Sequence, residues 1–187
     1  MKQYTDLPNN LPIPIDDGKC DHLEEMNLPN ITLDSTSNNK INLSLLKGLT
    51  VIYFYPRTGR PNVDLLPGWN EIPGARGCTP QSCSFRDNNQ ILTNFKAKVY
   101  GISTQSTAYQ KEMVERLHLP FEVLSDENLE LTKALNLPTF NVENMELIKR
   151  ITLICKDNEI IKVFYPVFPP DKNVEEVIKF IENNLVY

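Results

Sequence analysis

A chain of 187 residues, 41% hydrophobic and 23% charged, is expected to fold as one domain large enough to bury a core without disulfide staples. Its 24 acidic and 19 basic side chains leave a formal charge of −5, which argues against a nucleic-acid binder, because such a surface does not neutralise phosphates. The opening stretch MKQYTDLPNNLPIPIDDGKC has no apolar core run, and no later segment reaches the length of a membrane span. A cytoplasmic protein with no membrane association is therefore expected.

Residues 1–25, rich in Pro, Asp and Asn, read as an extended N-terminal arm, and residues 26–187 as the folded domain. ITLDSTSNNKINL suggests two short strands joined by a turn at Ser37, Asn38 and Asn39. GLTVIYFYP is the clearest buried strand, a β-branched and aromatic run closed by Pro56. Residues 56–77 carry no periodicity and many Pro and Gly; a loop this long within a compact domain is usually functional. A helix is predicted next, with Thr79 as N-cap, Pro80 at its first position, and Phe85, Ile91, Leu92 and Phe95 on its apolar face.

The second half alternates. AKVYGIS is a strand, TAYQKEMVERLHL a helix stopped before Pro120, FEVLS a strand and ENLELTKALNL a helix. KRITLICKDNEIIKVFYP reads as a β-hairpin turning at Asp157 and Asn158, and VEEVIKFIENN as a final helix burying Val174, Val177, Ile178 and Ile181. Together these predict an α/β domain, a central mixed sheet flanked by helices, with a β-hairpin at its N-terminal end.

Four cysteines and two histidines offer no C-x-x-C pair and no paired-ligand pattern, so no metal site is expected. IPGARGCTPQSC instead sets Cys78 at the start of a helix, where unpaired N–H groups favour an anion and cysteines ionise more readily. Arg76 stands beside it as a further cation. Cys83 lies five residues on; in a continuous helix the two Cα atoms are about 8 Å apart, beyond the roughly 7 Å limit for a disulfide. A bridge between them therefore requires the first turns to unwind. On spacing alone, a loop cysteine followed by a helix-core cysteine remains an equal alternative. Cys20, Cys155, His22 and His118 are read as structural.

Beyond spacing, the chain resembles a peroxiredoxin of the PrxQ or bacterioferritin-comigratory-protein type, within the thioredoxin-like superfamily. The matching segments are FYP, GCTPQSCSFRD (residues 77–87), GIS (101–103), LPFEVLSD (119–126) and RITLI (150–154). The resemblance implies a thioredoxin-like fold and a thiol peroxidase acting on hydrogen peroxide or organic hydroperoxides. It makes Cys78 the peroxidatic cysteine, Cys83 its resolving partner through an intrachain disulfide, and Arg150 the cation that holds thiolate and peroxide. It further implies a thioredoxin- or glutaredoxin-like reductant, no metal or flavin cofactor, and a monomer or homodimer. A peroxide-responsive sensor or binding module with little turnover is the alternative.

One departure stands out. The family pattern P-x-x-x-[T/S]-x-x-C puts a proline at position 71 and a hydroxyl at position 75, where this chain has Glu71 and Ala75. With Pro56 as the equivalent proline, the loop is about fifteen residues longer, and Thr58 or Thr79 is left to supply the hydroxyl, or else backbone N–H groups serve alone. Within that loop Arg57, Arg60, Trp69 and Arg76 suggest a gate over the site; the competing reading is a solvent loop that Trp69 anchors to the domain.

Overall fold

The computed structural model describes residues 4–185. A seven-stranded sheet runs β2-β1-β5-β4-β3-β8-β9. It is built from β1 (Thr32–Ser35), β2 (Lys40–Asn42), β3 (Leu49–Phe54), β4 (Lys98–Ser103), β5 (Glu122–Ser125), β8 (Ile151–Lys156) and β9 (Glu159–Phe164). β3, β4 and β5 are parallel, and antiparallel pairs flank them on both sides. The mixed sheet and N-terminal hairpin match the expectation, and the hairpin after β8 turns at Asp157 and Asn158, both at positive φ.

The central strand explains its own sequence. Side chains alternate across a sheet, so Val51, Tyr53 and Tyr55 enter one core layer while Ile52 and Phe54 enter the other. Both faces are covered, which is why the run is apolar throughout rather than alternating. The first layer is closed by α1 (Cys78–Asp87), α2 (Asn89–Asn94), α3 (Thr107–Leu117) and α5 (Asn173–Asn184). The second is closed by α4 (Glu130–Ala134) and by the arm, whose Cys20 and Leu23 are buried in it.

Several sequence expectations need correction. The N-cap of α1 is Gly77, in the left-handed region at φ 110°, and Thr79 lies inside the first turn. Gly77 is required twice over, because a Cβ there would collide with Pro170 and stand 2.8 Å from Leu7 Cδ2. The single helix expected after it is broken at Asn88 into α1 and α2; Phe85 and Leu92 are fully buried, while Ile91 is turned to solvent. The helix expected over 127–137 is confined to Glu130–Ala134. A further hairpin, β6 (Thr139–Val142) with β7 (Met145–Ile148), forms a separate two-stranded sheet that the sequence reading does not contain. The two histidines have structural places: His22 Nε2 pairs with Leu135 O at 2.9 Å, and His118 is the left-handed C-cap of α3.

Candidate active site

Cys78 opens α1, and the first turn closes with Gln81 N–H donating to Gly77 O at 3.0 Å. The free amides of that turn give the sulfur an anion-favouring environment. Its side chain is 2% exposed, and the thiol faces Ala75 O at 3.6 Å. From the adjacent strand edge comes Arg150, the residue immediately before β8, with Nη2 3.2 Å from Cys78 Sγ.

What holds Arg150 is a set of backbone and amide oxygens. Nη2 also lies 3.2, 3.1 and 3.4 Å from the carbonyls of Gly74, Ala75 and Arg76, and Nη1 donates to Gln81 Oε1 at 2.5 Å. Gln81 in turn donates to Asn173 Oδ1 at 3.1 Å, and the same oxygen accepts from the Thr152 hydroxyl at 2.6 Å. Arg150 is 3% exposed, and among the described residues no carboxylate pairs with it. A buried cation without a countercharge is costly. Among the groups in contact with the guanidinium, Cys78 Sγ is the one whose side chain can carry a negative charge.

The other thiols sit differently. Burial pushes Cys155 up to about 12, and burial, followed by the carboxylates of Asp17, Asp16 and Asp21, does the same to Cys20. Cys83 is half-buried on α1; burial raises it, and the Arg86 charge pulls the other way. Cys78 and Cys83 are both free thiols on one intact helix, so a bridge between them needs α1 to open.

The remaining predicted site residues are dispersed. Pro56 is buried two residues after the end of β3. Thr58 is buried too, but its hydroxyl donates to Gln105 Oε1 at 3.0 Å and its backbone N–H to the same oxygen, so it does not fold back to the cysteine. Thr79 is buried in the first turn of α1. Arg76 is turned to the arm: Nη2 donates to Asp6 O at 3.0 Å, and the guanidinium lies 5.1 Å from the centre of the Tyr4 ring. Trp69 is 4% exposed, packed with Ala75, Val142 and Leu147, its ring 6.2 Å from that of Phe140. The long loop thus has a small core of its own, seated on the β6–β7 hairpin. Its last residues supply the carbonyls around Arg150.

Sequence reasoning missed Gln81, Thr152 and Asn173. The available signal was Gln81, three residues after Cys78 and so on the same helix side. Thr152 and Asn173 give no local cue, because only the packing of α5 against β8 brings them together.

A cysteine at a helix start, faced by an arginine at the head of β8 in a mixed sheet with flanking helices, sits on a thioredoxin-like fold. A family model described as Redoxin matches residues 23–178, and the chain belongs to that family. Within it, the chain is similar to peroxiredoxin Q proteins. It is 31% identical over 157 residues to chloroplastic peroxiredoxin Q of Oryza sativa subsp. japonica, and likewise 31% identical over 157 residues to that of Triticum aestivum. Each match covers 83% of this chain, which spans 64% of the length of those relatives. Among solved structures, peroxidoxin BcpB of Mycobacterium tuberculosis superposes with a TM-score of 0.71 at 20% identity, over 87% of this chain and 98% of that one. Peroxiredoxin Q of Xanthomonas campestris gives 0.67 at 17% identity, over 93% and 98%. These likenesses confirm the fold.

Proposed function

We propose that the protein is a thiol peroxidase with Cys78 as its nucleophile. The observation that carries this reading is the Cys78–Arg150 contact at 3.2 Å, made by a buried guanidinium with no carboxylate partner among the described residues. The thiolate attacks the distal oxygen of a hydroperoxide and the O–O bond breaks. Sulfur becomes sulfenic acid, and the alkoxide or hydroxide takes up a proton to leave as alcohol or water. Arg150, fixed from behind by Gln81 and the loop carbonyls, stabilises the negative charge as it passes from sulfur to oxygen.

Cys83 is the proposed resolving thiol. With α1 opened, its sulfur displaces the sulfenic oxygen as water and forms an intrachain disulfide with Cys78. A dithiol protein of thioredoxin or glutaredoxin type then takes over the disulfide and returns both thiols. The proposal places the protein in a reducing, cytosolic setting, where thiols persist without permanent bridges. A peroxide sensor with slow turnover is the second reading. It is favoured by Ala75, which puts a methyl group where the family pattern has a hydroxyl.

Turnover of hydrogen peroxide with a thioredoxin system, compared among wild type, Cys78→Ser and Cys83→Ser, tests the proposal. Activity is expected to vanish in Cys78→Ser and to fall sharply in Cys83→Ser. Activity retained by Cys78→Ser excludes the reading. Rapid oxidation of wild-type Cys78 with negligible turnover favours the sensor.

A further inference from the structure

Beside the Cys78–Arg150 pair lies an apolar cavity of about 370 Å³, walled by Ile13, Ile15, Gly74, Phe140, Arg150 and Val167 among others. We propose that residues 13–15 of the N-terminal arm form the outer wall of a slot for the apolar tail of a bulky organic hydroperoxide, and thereby set which hydroperoxide the site prefers. The inference rests on the peroxidase reading and adds to it a determinant in the arm.

Size argues first. The cavity falls within the roughly 300–1,000 Å³ of small-molecule sites and far exceeds the roughly 30 Å³ share of a water-sized molecule, so hydrogen peroxide alone leaves it unused. Position argues next. Arg150 lines the cavity and also touches Cys78 Sγ, while Gly74, another lining residue, accepts from the same guanidinium. A hydroperoxide group held at Arg150 therefore has its substituent directed along the apolar walls.

The arm is fixed to this cavity at defined points. Asp17 accepts from Lys149 Nζ at 2.8 Å and from the Tyr165 hydroxyl at 2.7 Å, and both donors line the cavity. Pro14 lies 3.6 Å from where a Gly74 side chain would begin. Flanking Pro14, Ile13 and Ile15 remain 68% and 85% exposed, large apolar side chains left in water at the lip of an apolar cavity. An alkyl or aryl tail in the slot removes that surface from water, at roughly 25 cal/mol per Å².

The test compares kcat/KM for cumene hydroperoxide and for hydrogen peroxide in wild type and in Ile13→Ser/Ile15→Ser. Both side chains are mostly exposed, so the double variant is expected to fold and melt like wild type. The cumene value is expected to fall about tenfold, through KM, on the scale of a few lost apolar contacts. The hydrogen peroxide value is expected to stay within about twofold of wild type. Asp17→Asn, which loosens the anchor, is expected to act in the same direction and less strongly. Binding of the product alcohol, 2-phenyl-2-propanol, to Cys78→Ser protein gives a readout without turnover: the methyl resonances of Ile13 and Ile15 should shift, and affinity should drop in the arm variant. An unchanged preference, or an equal loss for both peroxides, overturns the proposal. So does a switch from dimer to monomer with kinetics untouched, which would make this face a subunit interface. If wild type consumes neither peroxide, the peroxidase reading falls, and the alcohol-binding measurement still decides whether the slot exists.

Discussion

Cys78 and Cys155 are almost equally buried, at 2% and 1% exposure, yet they stand in opposite chemical worlds. Cys155 lies within β8 in the apolar layer shared with Leu33 and Ile160, and burial alone pushes it up to about 12. Five residues before it along the chain, Arg150 reaches the opposite core layer and touches Cys78. Burial by itself silences a thiol. Cys78 is buried beside a guanidinium and at a helix start, where its sulfur has polar neighbours that Cys155 lacks.

The largest expected effect comes from removing that partner. Arg150→Met is expected to slow oxidation of Cys78 by about 10²–10³, the range seen when a charge-stabilising donor is deleted. Stopped-flow fluorescence of Trp69, the chain's one tryptophan, follows the reaction. A rate within a few-fold of wild type would make the two cysteines less different than their neighbours suggest. Next is Trp69→Ala, which empties the centre of the loop's small core at a cost of about 3–5 kcal/mol to that cluster. Because Gly74, Ala75 and Arg76 hold Arg150 through their carbonyls, this variant is expected to lose peroxide reactivity before the main sheet unfolds. Hydrogen exchange read alongside kinetics separates the two events.

Gly77→Ala sharpens the contrast from the backbone side. Forcing a side chain onto φ 110° and against Pro170 and Leu7 is expected to destabilise by about 1–3 kcal/mol in denaturant melts and to shift the start of α1. The smallest effects belong to Cys155. Cys155→Ala is expected to leave peroxide kinetics unchanged and to cost about 1 kcal/mol of stability. Its pH dependence has a definite sign. The folded thiol keeps its proton up to about 12, whereas an unfolded one loses it near 8.5. Stability from this group is therefore complete below that unfolded value and is lost as pH rises toward 12. Denaturant melts between pH 7 and 10 should show wild type losing more stability than Cys155→Ala; parallel curves would contradict the assignment.

Features written in local sequence are legible in the chain itself. The two-sided apolar run of β3, the presence of a helix after the long loop, the turn at Asp157 and Asn158 and the α3 stop before Pro120 all follow from side-chain period or turn chemistry. The β6–β7 hairpin is not, because polar Asn141, Glu143, Asn144 and Glu146 interrupt it and its turn places Glu143, not glycine, at positive φ. Thr79 looked like the cap because threonine commonly caps helices. Gly77 took that place because Leu7 and Pro170, both far away in sequence, leave no room for a Cβ. At the site, Cys78, Cys83 and Arg150 were visible through motifs. The Gln81–Asn173–Thr152 chain and the arm along the cavity exist only through tertiary contacts.

Cys78, and neither Cys20 nor Cys155, is proposed to be the peroxide-reactive thiol. One equivalent of hydrogen peroxide, added to reduced Cys83→Ser protein in the presence of dimedone and followed by peptide mass spectrometry, tests it most directly. A single sulfenic-acid adduct is expected, on the peptide carrying Cys78. An adduct on Cys20 or Cys155, or peroxide consumed with Cys78 unmodified, would contradict it.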